Sequence, residues 1–184
     1  MSRYLVIGTC GSGKTTFAHR LGKRLGIPHV ELDALHWEPG WTEAPPEVFR
    51  ARVDASTAGE RWVVDGNYGV VRDLLWPRAT TVIWLDYAFP RVAARLWART
   101  LRRALKRETL WAGNRESLRK SFCSRDSILL WQLQTYWRRR RDYPRLLAQP
   151  DYAHLVLERV GSPREAEQLL ERLGAQRGLT ASQT

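Results

Sequence analysis

The chain has 184 residues, 43% of them hydrophobic and 27% charged, and carries a formal net charge of +11. The length suits a single domain over 1–184, and the hydrophobic fraction is near the globular norm. No apolar run approaches the roughly 18 residues of a membrane helix, so wholesale disorder and a spanning role are excluded. Two cysteines, Cys10 and Cys123, are too few for a disulfide scaffold, and with a start too short for a secretory signal they leave a cytoplasmic setting as the expectation.

Residues 3–8 form a continuous apolar run, which reads as a strand of a parallel sheet covered on both faces. A glycine-rich loop follows, then a helix over 14–25 stopped by Gly26 and Pro28. Residues 29–33 predict a second short strand, and the Pro and Gly content of 37–46 predicts a loop. A helix over 47–58 leads to a third strand at 61–65, and 70–76 suggest a short helix. Residues 80–86 are the clearest strand, with β-branched residues and no breaker. Pro90 opens a long helix to about 107, since proline suits a first turn. Residues 108–124 lack periodicity. A helix over 125–148, bent or broken at Pro144, a fifth strand at 154–160 and a helix over 163–173 complete the chain. Strands alternating with helices imply right-handed βαβ units and a parallel sheet covered on both faces, with ligands at the carboxyl ends of the strands.

The first of those ends carries the strongest signal. Gly8-Thr9-Cys10-Gly11-Ser12-Gly13-Lys14-Thr15 fits G-x-x-x-x-G-K-[ST] between a strand and a helix. Glycines let the backbone turn its N–H groups onto phosphate oxygens, and the positive end of the following helix dipole faces the same anion. Gly8, Cys10, Gly11, Ser12, Gly13, Lys14, Thr15 and Thr16 are the expected phosphate cradle. Lys14 reaches the β- and γ-phosphates, and the Thr15 hydroxyl is a candidate Mg²⁺ ligand. Cys10 reads as a small residue at a tolerant position, because no His or second Cys stands in a motif relation to it.

Acidic residues mark other strand ends. Asp65 precedes Gly66 and suits Mg²⁺ or the orientation of an attacking group. Asp33 follows the second strand, where an acceptor would face the γ-phosphate. Asp86 ends the fourth strand, and an aspartate there is equally a turn former. His36 and Trp37 are placed to shape an acceptor pocket or simply to pack.

The positive charge is concentrated. Residues 87–150 hold 16 Lys/Arg against 4 Asp/Glu, a balance of +12, whereas the remaining 14 and 15 balance to −1. Such a segment expects an anionic partner or forms a solvated face. Arg91, Arg95, Arg99, Arg102, Arg103 and Lys106 lie on one helix stripe, opposite an apolar stripe of Ala94, Trp97, Leu101 and Leu105 that reads as core. The first of these basic residues read as solvated. The last ones adjoin Arg115, Arg119 and Lys120, so that 99–124 reads as a basic lid closing over phosphates and excluding water. The run Arg138–Arg141, flanked by Trp137 and Tyr143, reads as a solvated helix, with nucleic-acid contact as the alternative.

Taken together, the phosphate loop, Leu32-Asp33-Ala34-Leu35-His36-Trp37-Glu38-Pro39-Gly40-Trp41, Trp62-Val63-Val64-Asp65-Gly66-Asn67-Tyr68 and the arginine-rich helix resemble the adenylate-kinase-related proteins known as DNA topology modulation proteins, over roughly residues 3–173. The resemblance implies a P-loop NTPase fold: a three-layer sandwich whose five-stranded parallel sheet is of the nucleoside-monophosphate-kinase type, with a basic helical lid. It implies an ATP-dependent phosphotransferase using ATP and Mg²⁺, with Lys14, Asp33, Asp65, Arg99 and Arg103 in catalysis and Thr15 and Asp65 on the metal. Arg99 and Arg103 match the R-x-x-x-R of lid arginines, and Asp33 is similar to the acceptor ligand of shikimate- and gluconate-type kinases. The loop near 159–162 resembles the place where these kinases hold adenine. Asn67-Tyr68 departs from the Phe/Tyr-Pro-Arg that follows Asp-Gly in adenylate kinases, leaving Arg72 or Arg78 as stand-ins for an acceptor-phosphate ligand. The acceptor is therefore a nucleotide, a nucleoside or a hydroxylated metabolite. The alternative is an ATP-binding regulator associated with nucleic acid. A GTPase switch is disfavoured, because no Asn-Lys-x-Asp motif is present.

Overall fold

The computed structural model describes residues 2–106, 108–114 and 128–181. Five parallel strands form one sheet: β1 (Ser2–Gly8), β2 (His29–Glu31), β5 (Arg61–Asp65), β6 (Thr81–Leu85) and β7 (Val156–Val160), in the order β2-β5-β1-β6-β7. The apolar run of β1 lies at the centre, paired with β5 from Ser2↔Arg61 to Val6↔Asp65 and with β6 from Tyr4↔Thr81 to Gly8↔Leu85. Because strand side chains alternate, this run feeds two cores. Val6 packs with Phe17, Leu21 and Leu25 of α1 (Lys14–Leu25) and with Leu169 and Leu170 of the last helix. Leu5 and Ile7 pack on the other face with Phe49 and Val53 of α3 (Pro46–Ser56) and with Trp62 and Trp84. Each aliphatic side chain so buried contributes about 1.5–3 kcal/mol relative to exposure, and their split over two faces makes a sandwich of three layers.

The remaining helices are α2 (Leu32–His36), α4 (Arg72–Leu75), α5 (Phe89–Lys106), α6 (Ile128–Leu147) and α7 (Pro163–Ala181). Helix α1 ends where Gly26, at φ 56°, turns its N–H back to the Gly22 and Lys23 carbonyls, as a left-handed glycine cap does. Pro144 lies inside an unbroken α6. That helix bridges the cores, with Tyr136 in the first and Tyr143 in the second. Among the described residues, no helix is long and apolar enough to cross a membrane.

Three further sequence expectations change. Strand β2 stops at Glu31, so Asp33 sits on the one-turn helix α2 rather than at a strand end. Residues 37–46 are not simply a loop. Trp37–Glu38 (β3) and Thr42–Glu43 (β4) pair as an antiparallel hairpin across Pro39-Gly40-Trp41, which the Pro and Gly of the tight turn had masked. Third, the stripe Ala94, Trp97, Leu101 and Leu105 is not core: Trp97, Leu101 and Leu105 are 53%, 48% and 70% exposed. The opposite face of α5 is buried through Val92, Leu96 and Thr100, with Arg99 and Arg103 half-buried beside them. Helical periodicity identifies both stripes without choosing between them. The choice is made by Gly11, where a Cβ would run into the Val92 carbonyl oxygen, so α5 rests directly on the glycine-rich loop.

Candidate active site

Strands running in parallel bring all their carboxyl ends to one edge. There β1 passes into the loop Gly8–Thr15, β5 ends on Asp65, β6 leads to Asp86, and β2 leads through Glu31 to Asp33. The loop has the backbone an anion cradle requires. Gly11 and Gly13 stand at φ 82° and 86°, a region glycine enters without strain. Gly13 caps α1 with no side-chain hydrogen bond, and the first turn has no acidic residue. Its orphan N–H groups and the helix dipole therefore face outward for a negative ligand. The buried Ser12 hydroxyl has no hydrogen-bond partner among the described residues. A phosphate would satisfy all of these donors, so the loop fits the group its sequence implies.

Beside the loop, the Thr15 hydroxyl donates to Asp65 Oδ2 at 2.7 Å, while His29 Nε2 lies 2.7 Å from Asp65 Oδ1. Asp65 is buried, and both its oxygens are held. A hydroxyl oxygen and a carboxylate in contact are the hard-oxygen donor set that suits Mg²⁺. Asp33 stands on the neighbouring element, where the Tyr68 hydroxyl donates to its Oδ1 at 2.6 Å. Burial, and then the Asp33 charge, push the Tyr68 hydroxyl far above its ordinary range, so Tyr68 stays a proton donor. Its bond leaves Asp33 Oδ2 for another partner.

Sequence reasoning missed several members of this group. Glu31 is the in-register neighbour of Asp65. Burial lifts its carboxyl above the usual range and Asp65 and Asp33 add to the lift, against a hydrogen bond from Trp111. Trp111 belongs to a 3-10 turn at Trp111–Gly113. Asn114 clamps that segment to the β3–β4 hairpin, donating to the Glu38 carbonyl at 2.8 Å and accepting the Trp41 N–H at 3.0 Å. This bond helps to hold Trp41 at φ 62°, which is costly for a bulky residue. The rings of Tyr68, His36, Trp37, Trp41 and Trp111 follow one another at centroid distances of 4.5–6.3 Å, so an aromatic arc runs from Asp33 to Glu31. His36 and Trp37 thus pack as well as shape. Only their position after a strand end signalled any of this, since the partners come from distant segments.

The basic residues divide. A Cβ on Gly13 would lie 3.7 Å from Arg95 Nη1, and Arg95 also lies over the Tyr87 ring at 5.6 Å. A residue read as merely solvated is therefore next to the phosphate loop. Arg99 and Arg103 lie on the inward face of α5, and Arg99 Nε is buried with no hydrogen-bond partner among the described residues. Arg102 and Arg103 approach Glu108 at 3.4 and 3.7 Å. Arg115, Arg119 and Lys120, which the sequence reading assigned to a lid, lie outside the described residues. Of the two arginines expected as stand-ins for an acceptor-phosphate ligand, Arg78 pairs with Asp54 at 2.7 Å and Arg72 lies over Trp76 at 5.4 Å, so neither is brought to Asp33. Asp86 is bound by Arg140 and Arg159 at 3.0 and 2.5 Å. These three, with Ala88, Gly161 and Glu165, line an open cavity of about 430 Å³ at the ends of β6 and β7, the place expected for a base.

The fold has counterparts among solved structures. A gluconokinase from Sinorhizobium meliloti superposes with a TM-score of 0.51 at 21% identity, over 97% of both chains. A sugar kinase from a Janibacter species gives 0.50 at 23% identity, over 94% of this chain and 92% of the other. A shikimate kinase from Bacteroides thetaiotaomicron gives 0.53 at 15% identity, over 95% and 97%. No family model matches the chain, and no curated protein matches it. At these identities the likeness is one of fold, and it is the three-layer α/β fold of the P-loop kinases.

Proposed function

We propose that the chain is an ATP-dependent phosphotransferase that passes the γ-phosphoryl group of Mg·ATP to a hydroxyl of a small acceptor. One observation carries this reading: two carboxylates, Asp65 on Thr15 and Asp33 on Tyr68, stand at the strand edge that holds an uncapped phosphate loop. Loop amides and Lys14 grip the triphosphate, and Thr15 and Asp65 hold Mg²⁺. The metal, when bound, supplies positive charge to the phosphate oxygens. Asp33 Oδ2 accepts the proton as the acceptor oxygen bonds to the γ-phosphorus and the bond to ADP breaks. Arg99 and Arg103 stabilise the charge in flight. Hydroxylated acceptors are favoured over nucleoside monophosphates because Arg72 and Arg78 are engaged elsewhere, and because the structural neighbours include gluconate, sugar and shikimate kinases. A nucleic-acid-associated regulator has less support, since Arg140 and Arg141 of the basic run are spent on Asp86 and Asp142.

The test is a coupled ADP-release screen with Mg²⁺ over nucleosides, nucleoside monophosphates and hydroxylated metabolites. Acceptor-dependent ADP release with a hydroxylated compound is expected. Absence of both release and calorimetric heat on titrating Mg·ATP refutes the reading.

A further inference from the structure

Strand β5 leaves the sheet just after Asp65. Gly66 stands at φ 144° and donates its N–H to the Val6 carbonyl at 3.3 Å, the last backbone rung between these strands. Successive residues of a strand turn their backbone groups to opposite neighbours. Gly8, two residues beyond Val6, therefore faces the side that β5 has vacated. The Asn67 side chain fills the gap: its Oδ1 accepts the Gly8 N–H at 3.2 Å, and its Nδ2 donates to the Gly8 carbonyl at 2.5 Å. A carboxamide is a planar donor and acceptor, the same pair that a peptide presents. The Gly8 N–H, which only donates, and the Gly8 carbonyl, which only accepts, set which end of the amide is oxygen, and Tyr143 of α6, itself buried, anchors that end by donating its hydroxyl to the same Oδ1 at 3.1 Å. Gly8 is confined from its other sides as well, because a Cβ there would lie 2.7 Å from Ser12 Oγ and 2.8 Å from the Leu85 carbonyl.

We propose that Asn67 is a positioning residue for the phosphate loop, its amide acting as a side-chain extension of β5 that fixes Gly8, with Tyr143 orienting that amide. The inference rests on reading the loop as a triphosphate site. It gives the departure at Asn67 from the adenylate-kinase pattern a role on the donor side rather than the acceptor side. It also ties α6 to the loop through one hydroxyl.

Asn67→Asp keeps the size but removes the donor and sets a carboxylate against the Gly8 carbonyl. Tyr143→Phe removes only the orienting hydroxyl. For each variant, three quantities are measured: the melting temperature, hydrogen exchange over residues 7–13, and calorimetric Mg·ATP affinity well below the melting temperature. Asn67→Asp is expected to speed exchange at Gly8 and to weaken Mg·ATP binding, each at least tenfold, with exchange in β6 unchanged. Tyr143→Phe should fall between it and the parent protein. A purely structural Asn67 would lower the melting temperature and leave the folded protein's affinity within twofold, which overturns the proposal, as does unchanged exchange at Gly8. If the parent protein itself binds no Mg·ATP, the kinase reading fails, and exchange alone decides whether Asn67 positions the loop. Should Asn67→Asp not fold, Tyr143→Phe and Asn67→Ser carry the same readouts.

Discussion

The two halves of the edge that the proposed function assigns to donor and acceptor are built differently. The donor half is mostly backbone: Gly8, Gly11 and Gly13 set the path, and the uncapped start of α1 supplies the N–H groups. The acceptor half is mostly side chains from distant segments, with Tyr68 on Asp33, Trp111 against Glu31, and Asn114 locking the hairpin. A backbone site must be encoded locally, because the conformation of each residue depends on its own side chain and its neighbours. A side-chain site is assembled by the fold and leaves no fixed spacing. The two halves should therefore respond differently to substitution, and the most informative variants are those that damage one half and spare the other.

The largest expected effect is on turnover alone. Asp33→Ala should lower acceptor-dependent ADP release about 10²–10⁴-fold, the usual worth of a positioned acid–base group, with calorimetric Mg·ATP affinity within twofold of the parent. Loss of ATP affinity would place Asp33 in the donor half and break the division. Lys14→Ala is the counterpart. It should lower turnover about 10²–10³-fold, as loss of a preorganised donor does, but with weaker Mg·ATP binding as well. Intact binding in that variant would show that the loop amides grip the triphosphate without the lysine.

What could be read from the sequence follows the same division. The glycine-rich loop, the alternation of strands and helices, and the place of Asp65 at a strand end were legible because spacing and apolar runs encode them. The inward turn of Arg99 and Arg103 was not legible, since both stripes of α5 satisfy the helical period and contact with Gly11 selects the buried one. Arg95 was missed for that reason. Asn67 looked like the loss of a motif, because its partner is the Gly8 backbone, 59 residues away. Tyr68 adjoins it in sequence yet serves the other half of the site.

Tyr68→Phe sharpens the comparison with a smaller change. It removes a hydrogen bond to a charged oxygen, worth about 1.5–3 kcal/mol when fully formed. Part of that is recovered by water, so turnover should fall about tenfold while Mg·ATP affinity is unchanged. Rates equal to the parent's would show that Asp33 holds its place without the phenol.

The smallest effect concerns stability. Glu31 lies in register with Asp65, and burial, aided by the charges of Asp65 and Asp33, raises its carboxyl above the ordinary range. A carboxyl with a raised pKa in the folded state favours folding while protonated. That stability is fully present below the unfolded value, near pH 4, and is lost as pH rises through the higher folded value. Above that range the Glu31 carboxyl is thus a burden on the fold. Glu31→Gln keeps an acceptor for the Trp111 indole, and should raise the melting temperature by on the order of 1–3 °C, a small gain because the group is partly solvated. The gain should vanish on acidification to about pH 4, where the parent carboxyl is itself protonated. A lower melting temperature at pH 7 would mean that the ionised form is stabilised by the fold, and that Glu31 is held by donors other than Trp111.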